Sequence, residues 1–312
     1  MSRAVRKTMG NQVRLMAVAK QTQRWKEYLS GYLFITPNFI GFLVFLLGPI
    51  IAVIYFSFTN YNLSTAQWIG PENYLSMFRN TGYWNSLVKT LIFVGVNVPL
   101  QSGVALLVAV AVNQKIRYPG IFRTIFVIPW VCLPVSIGMT FSWLMQTDFG
   151  MINQLLRSLH LPGVPWLTSP KLALYSLILV NAWEYLGFHI VIYLAGLQSV
   201  PTYLYEAAMI DGATSRVRFL RITLPLLMPV IFFDIIMNTI GTFQIFDIVF
   251  VMTQGGPGAA TSVYNFELYK QAFTFFRMGY ACSMAVILLL IIIGVILLQF
   301  WFFRKRGSYE VG

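Results

Sequence analysis

Seven polar side chains recur at helical spacing inside long apolar runs, and the chemistry they offer is hydrogen bonding. Asn97 and Gln101 stand four residues apart, Asn181 and Glu184 three apart, and Asp234, Asn238 and Thr242 fall at i, i+4 and i+8. Each set shares one face of a helix. An ionised carboxylate at the membrane centre costs roughly 2.5–3.5 kcal/mol on insertion scales, so these faces are expected to turn toward a helix bundle and away from lipid. Two readings stay open. The residues either tie helices together or line a polar path for a hydroxyl-rich substrate. Singly, each favours the structural role; collectively, they predict a path lined by some of them. Trp183 and Tyr185 have the rings to stack on a sugar, although such residues more often mark helix packing, and His189 reads as a hydrogen-bonded bundle residue.

Bond-making chemistry has little to work with. The chain lacks G-x-x-x-x-G-K-[ST], H-E-x-x-H, G-x-S-x-G and C-x-x-C. The glycine-rich "GGPGAATS" from Gly255 has no lysine for a nucleotide phosphate. His160 and His189 fall on opposite sides of a span, and Cys132 and Cys282 read as small buried hydrophobes, with no disulfide or metal framework. No metal site and no cofactor of its own is expected, and the chain reads as a non-enzyme. Energy-requiring work would then draw on another chain. The alternatives are a proton-driven secondary transporter with Glu184 or Asp234 as carrier, and a membrane-embedded enzyme of glycan or lipid synthesis.

The elements that must position these residues follow from composition. Of 312 residues, 57% are hydrophobic and only 10% charged, too little charge to cover a soluble protein of this size. A polytopic, all-α membrane protein is implied. Crossing about 30 Å of hydrocarbon takes about 20 residues. Six runs suffice: 32–58, 87–112, 121–145, 172–197, 226–250 and 281–303. Residues 1–30 form a basic tail without the pattern of a cleaved signal peptide, residues 31–303 the membrane domain, and residues 304–312 a second tail. Pro37, Pro49, Pro99, Pro129 and Pro134 within the spans predict kinks. Residues 150–161 read as a short amphipathic helix, and 253–262 as a flexible, turn-forming loop.

The net charge of +12 does not describe a nucleic-acid surface, because the cations occupy short connections and tails. Sixteen Lys and Arg collect on one side of the spans, in the two tails, at Lys115, Arg117 and Arg123, and at Arg216, Arg218 and Arg221. Five lie on the other side. The positive-inside rule puts both termini in the cytoplasm.

One cytoplasmic connection stands out, "YEAAMIDGATSRVRFLRITLPLLMP" from Tyr205. Residues 201–210 predict a short helix, with Ser199 able to cap it and Pro201 in its first turn. Ala207 and Ala208 give it a low profile, Glu206 supplies one carboxylate, and Gly212 permits a sharp turn through positive φ. A second short helix over 214–222 is expected to carry Arg216 and Arg218, ending before Leu224-Pro225 starts the fifth span. The bland reading is a basic loop; the sharper one is a docking element.

The spacing of Glu206-Ala207-Ala208, Gly212 and Ile222-x-Leu224-Pro225 resembles the E-A-A-x-x-x-G-x(9)-I-x-L-P signature of ATP-binding cassette importer permeases. "FRTIFVIPW" at Phe122, Trp183, "FQIFDIVFVMTQGGPGAAT" from Phe243 and "YKQAFTFFRMGYACSMA" from Tyr269 are similar to its carbohydrate-uptake branch, which includes maltose-type and glycerol-phosphate-type subunits. The resemblance runs from about residue 32 to 303 and departs at Val217, where an aromatic is expected. It implies a type I importer fold in a prokaryotic cytoplasmic membrane. It further implies a second permease, an extracytoplasmic solute-binding protein, and a cytoplasmic ATPase dimer that carries ATP and Mg and docks on Glu206–Gly212. Arg216 and Pro225 belong to the same coupling region. ATP-driven closure of that dimer would switch the pore between inward-open and outward-open states.

Overall fold

Apolar sequence becomes helix wherever lipid denies the backbone any other partner, and the computed structural model is helical almost throughout. It describes residue 28 and residues 31–114 and 119–304. The two basic tails, apart from residues 28 and 304, lie outside the described residues, as do Lys115 and Arg117. The chain divides into two units, residues 1–56 and 57–312. The first presents one described helix, α1 (Gly31–Phe56), apolar all round, with Pro37 and Pro49 inside it and a π-helical stretch at Leu43–Leu47.

The second unit holds the bundle. Its order is α2 (Glu72–Arg79), α3 (Thr81–Val112), α4 (Pro119–Val131), α5 (Pro134–Leu144), α6 (Met151–Ser158), α7 (Ala173–Gln198) and α8 (Thr202–Ile210). Next comes α9, which starts at Ser215–Arg218, passes through a π turn at Phe219–Thr223 and continues as Leu224–Phe243. Then follow α10 (Asp247–Met252), α11 (Tyr264–Tyr269, with a π turn at Lys270–Thr274) and α12 (Met278–Arg304). Among the described residues five helices are long and apolar enough to cross a membrane, and the bent pair α4–α5 brings the number to six if it is counted as one broken span.

α7 is the centre, packed on α3, α4 and α9. Phe93, Leu177, Ile178, Ile248 and Val249 form one apolar cluster, and Ala105, Ile190, Tyr193 and Leu227 another. Gly187 permits a close approach: a Cβ there would lie 2.0 Å from the Phe126 carbonyl of α4.

Several expectations change. The span over 121–145 is not one kinked helix. It breaks at Cys132–Leu133, and α4 and α5 meet at 96°. Pro134 cannot donate to the helix before it, while it suits the first turn of the helix after it. Cys132 sits exposed in that break and Cys282 is half-buried, so neither is the buried hydrophobe expected. The fifth span stops as a helix at Phe243 and resumes at Asp247. No separate helix ends before Leu224-Pro225: the Leu224 N–H donates to the Phe219 carbonyl, and the π turn carries α9 straight through. α2 and α11 answer to no expectation.

The loop over 253–262 is tied to itself and its surroundings, which corrects the expected flexibility. Thr261 Oγ1 donates to the Gly256 carbonyl at 2.7 Å and lies 2.7 Å from Thr253 Oγ1. Lys89 Nζ donates to the Ala259 carbonyl. Beneath it, Tyr264 is fully buried, its N–H accepted by Thr90 Oγ1 at 2.8 Å and its hydroxyl donated to the Met284 carbonyl at 2.8 Å. Burial, with the Tyr83 hydroxyl beside it, pushes its phenol well above the ordinary tyrosine range. Residues Met151–Ser158 are helical as expected. Asn153 anchors that helix to the following loop: its Nδ2 donates to the Thr147 and Val164 carbonyls, and its Oδ1 accepts from the Val164 N–H and Trp166 Nε1.

Candidate functional site

Two regions hold the residues singled out by spacing. The first is a polar network where α3, α7 and α9 meet inside the bundle. Asp234, fully buried, is its hub. Ser102 Oγ and the Tyr193 hydroxyl donate to Asp234 Oδ2 at 2.7 and 2.6 Å, and His189 Nδ1 lies 2.6 Å from Oδ1. Asn238 Nδ2 donates to Ser102 Oγ, and Thr242 Oγ1 donates to Asn238 Oδ1. Asn97 Nδ2 reaches both Thr242 Oγ1 and Gln101 Oε1 at 3.1 Å. Gln101 Nε2 donates to the Asn181 and Ala182 carbonyls of α7.

The network therefore brings Asn97, Gln101, Asp234, Asn238 and Thr242 together, while Asn181 enters through its backbone carbonyl. His189, Tyr193 and Ser102 complete it. The last two were not singled out from sequence, although Tyr193 lies four residues from His189, the signal that could have found it. Glu184 stands apart, 1% exposed, with its Oε2 buried and unpartnered. Beside it, half-exposed Trp183 packs edge-on against Phe141 of α5, ring centroids 5.1 Å apart. Such an arrangement cross-links helices and offers hydrogen-bond partners. Among the described residues no group of three or more His, Cys, Asp or Glu is placed to hold a metal.

The second region is the elbow between α8 and α9. Gly212 takes φ +74°, the left-handed conformation open to glycine. The Ala213 N–H donates to the Ala208 carbonyl at 2.8 Å and the Gly212 N–H to the Met209 carbonyl at 3.1 Å, the paired bonds of a Schellman stop. Thr214 Oγ1 then accepts from the Val217 N–H, opening α9. Ser199 does not cap α8. It closes α7, its Oγ donating to the Gly196 carbonyl, and Pro201 takes the capping position without a side-chain bond. Glu206, Ala207, Arg216 and Gly212 are exposed, Ala208 and Pro225 half-buried, and Ile210 stands 87% exposed. This short helix thus leaves Tyr203, Met209 and Ile210 in the open.

Five apolar spans among the described residues, six with the bent pair α4–α5, and an exposed elbow opening α9 describe a permease subunit of the type I importer architecture. A solved structure of a bacterial ATP-binding cassette transporter involved in import of the acidic polysaccharide alginate shares this fold. It matches with TM-score 0.79 and 23% identity, over 92% of this chain and 99% of that one. Residues 74–307 match the family of binding-protein-dependent transport system inner membrane components, and the chain belongs to that family. It is 39% identical to the "Probable ABC transporter permease protein YesP" of Bacillus subtilis, over 95% of this chain and 96% of that protein. It is 34% identical to the lactose transport system permease protein LacF of Rhizobium radiobacter, over 93% and 100%.

Proposed function

We propose that this chain and a second, related permease form the translocation path of a carbohydrate importer in a prokaryotic cytoplasmic membrane, with both termini of the chain in the cytoplasm. It is not itself an enzyme. A cytoplasmic ATPase dimer holding ATP and Mg docks on the Glu206–Gly212 helix, with Glu206 paired to a basic residue of the ATPase. A solute-binding protein delivers substrate from outside. Asn97, Gln101, Asn181, Glu184, Asp234, Asn238 and Thr242 border the path, some as lining and some as the bonds that shape it. The observation that carries this reading is the elbow, whose Schellman stop at Gly212 leaves a nine-residue helix presented outward. Support for a sugar comes from the lactose system permease among its relatives.

Uptake of radiolabelled saccharides by cells with and without the partner ATPase tests the proposal. Accumulation that disappears with the ATPase and survives a protonophore supports it. The opposite pattern would establish a proton-driven carrier.

A further inference from the structure

α4 carries a cation that no described residue receives. Arg123 lies in its first half, half-buried, with its Nε shut from solvent and unpartnered. Among the described residues its guanidinium makes no hydrogen bond and no ion pair. The helices packed on α4 are α3 and α7. Neither α3, α4 nor α5 contains an acid, and the one acid of α7, Glu184, enters no ion pair. A cation so placed in a membrane helix is costly until an anion meets it.

Beside it runs a trough of about 420 Å³, with Arg123 and Thr124 at one end and Val127, Ile128, Val131 and Cys132 beyond. These positions follow one stripe along α4 as far as its break. Thr124 Oγ1 already donates to the Gly120 carbonyl at 3.0 Å, so the donor at the polar end is Arg123. At about 1.5 Å per residue the stripe is about 13 Å long, close to half of a hydrocarbon core about 30 Å thick. A free phosphate would pair the arginine and leave the stripe bare. A neutral lipid would cover the stripe and leave the arginine unpaired. A molecule with a phosphate at one end and an acyl chain at the other satisfies both, its oxygens accepting from the guanidinium fork. We propose that this trough holds an anionic phospholipid, with its headgroup phosphate on Arg123 and one chain along Val127, Ile128 and Val131. The proposal requires only that α4 enters the membrane, and it stands apart from the importer reading.

The test uses the full-length chain, extracted with whatever subunits stay bound and stripped of lipid. It is titrated with dioleoyl phosphatidylglycerol or dioleoyl phosphatidylcholine under native mass spectrometry. The first phosphatidylglycerol should bind roughly fivefold tighter than phosphatidylcholine, the gain that one basic side chain gives with an anionic headgroup. Arg123→Gln should abolish that preference and Arg123→Lys should keep part of it. Ile128→Trp, which fills the stripe, should weaken phosphatidylglycerol binding severalfold. In the unaltered protein, phosphatidylglycerol with a diazirine on one acyl chain should label within residues 124–132. Equal affinity for the two lipids, a preference that outlives Arg123→Gln, or labelling confined to other segments overturns the proposal. So does displacement of the lipid by inorganic phosphate at equal concentration, which would leave an anion site alone. A bound subunit that shields residues 124–132 from the label also overturns it, and would make the stripe a protein interface.

Discussion

His189 Nδ1 lies 2.6 Å from Asp234 Oδ1, with the two side chains 4% and 0% exposed. The residues are 45 positions apart in the chain, so the contact fastens α7 to α9 at mid-bundle. Tyr193, one turn along α7 from His189, takes the other carboxylate oxygen, and Ser102 brings in α3. A single acid thus collects three hydrogen-bond partners from two neighbouring helices.

Replacing that acid tests its structural weight. Hydrogen bonds between membrane helices average about 0.6 kcal/mol, and three are lost in Asp234→Ala, so a destabilisation of about 2 kcal/mol is expected. Asp234→Asn, which keeps an acceptor, should lose less. SDS-driven unfolding in mixed micelles measures both. An alanine variant as stable as the parent would show that the hub carries no weight.

At the elbow, conformation and surface separate cleanly. A Cβ on Gly212 meets nothing within 4 Å, so Gly212→Val acts through its left-handed backbone, at about 1–2 kcal/mol. Glu206→Lys changes only the exposed surface. Both variants should insert and fold, yet lose ATPase co-purification and uptake. Unaltered uptake in both would remove the elbow from the coupling role.

Gly187→Ala should be far more damaging than its one methyl suggests. The new Cβ would overlap the Phe126 carbonyl, which belongs to a helix backbone and has little room to retreat. Overpacking of this kind costs typically 1–3 kcal/mol. Yield of folded protein in detergent, compared with Gly95→Ala, where a Cβ meets nothing within 4 Å, reads the difference. Equal yields would count against the close packing of α4 on α7.

Asn153→Ala removes four hydrogen bonds around a side chain with no solvent exposure. The loop after α6 should loosen, at about 1–3 kcal/mol for the donors and acceptors left behind. Limited proteolysis of the reconstituted protein should then cut within residues 159–168 several times faster. An unchanged cleavage rate would mean that Arg157, which also bonds the Thr147 and Asp148 carbonyls, suffices alone.

What the chain disclosed in advance was what local pattern encodes. Long uncharged runs marked the spans, and Gly212 behind two alanines marked the elbow. The polar spacings found five members of the network, yet both readings of them were open, because the pairing of His189 with Asp234 depends on how distant helices meet. Pro129 and Pro134 read as kinks, since five-residue spacing does not say whether a helix bends or breaks. Pro225 read as a helix start, and only the π turn before it reveals a helix running through. α2 and α11 are short and mixed in polarity, so no period announced them, and what places α11 is Tyr264 reaching Thr90 and Met284.

That uninterrupted helix has a mechanical meaning. From Ser215 to Phe243, at about 1.5 Å per residue, α9 is a rod about 40 Å long. One end adjoins the turn at Gly212, and the other carries Asp234, Asn238 and Thr242. A push at the elbow need not travel through a chain of loosely coupled side chains. Under the proposed docking of an ATPase at the elbow, it would shift the polar hub by moving the strut on which three of its members are mounted.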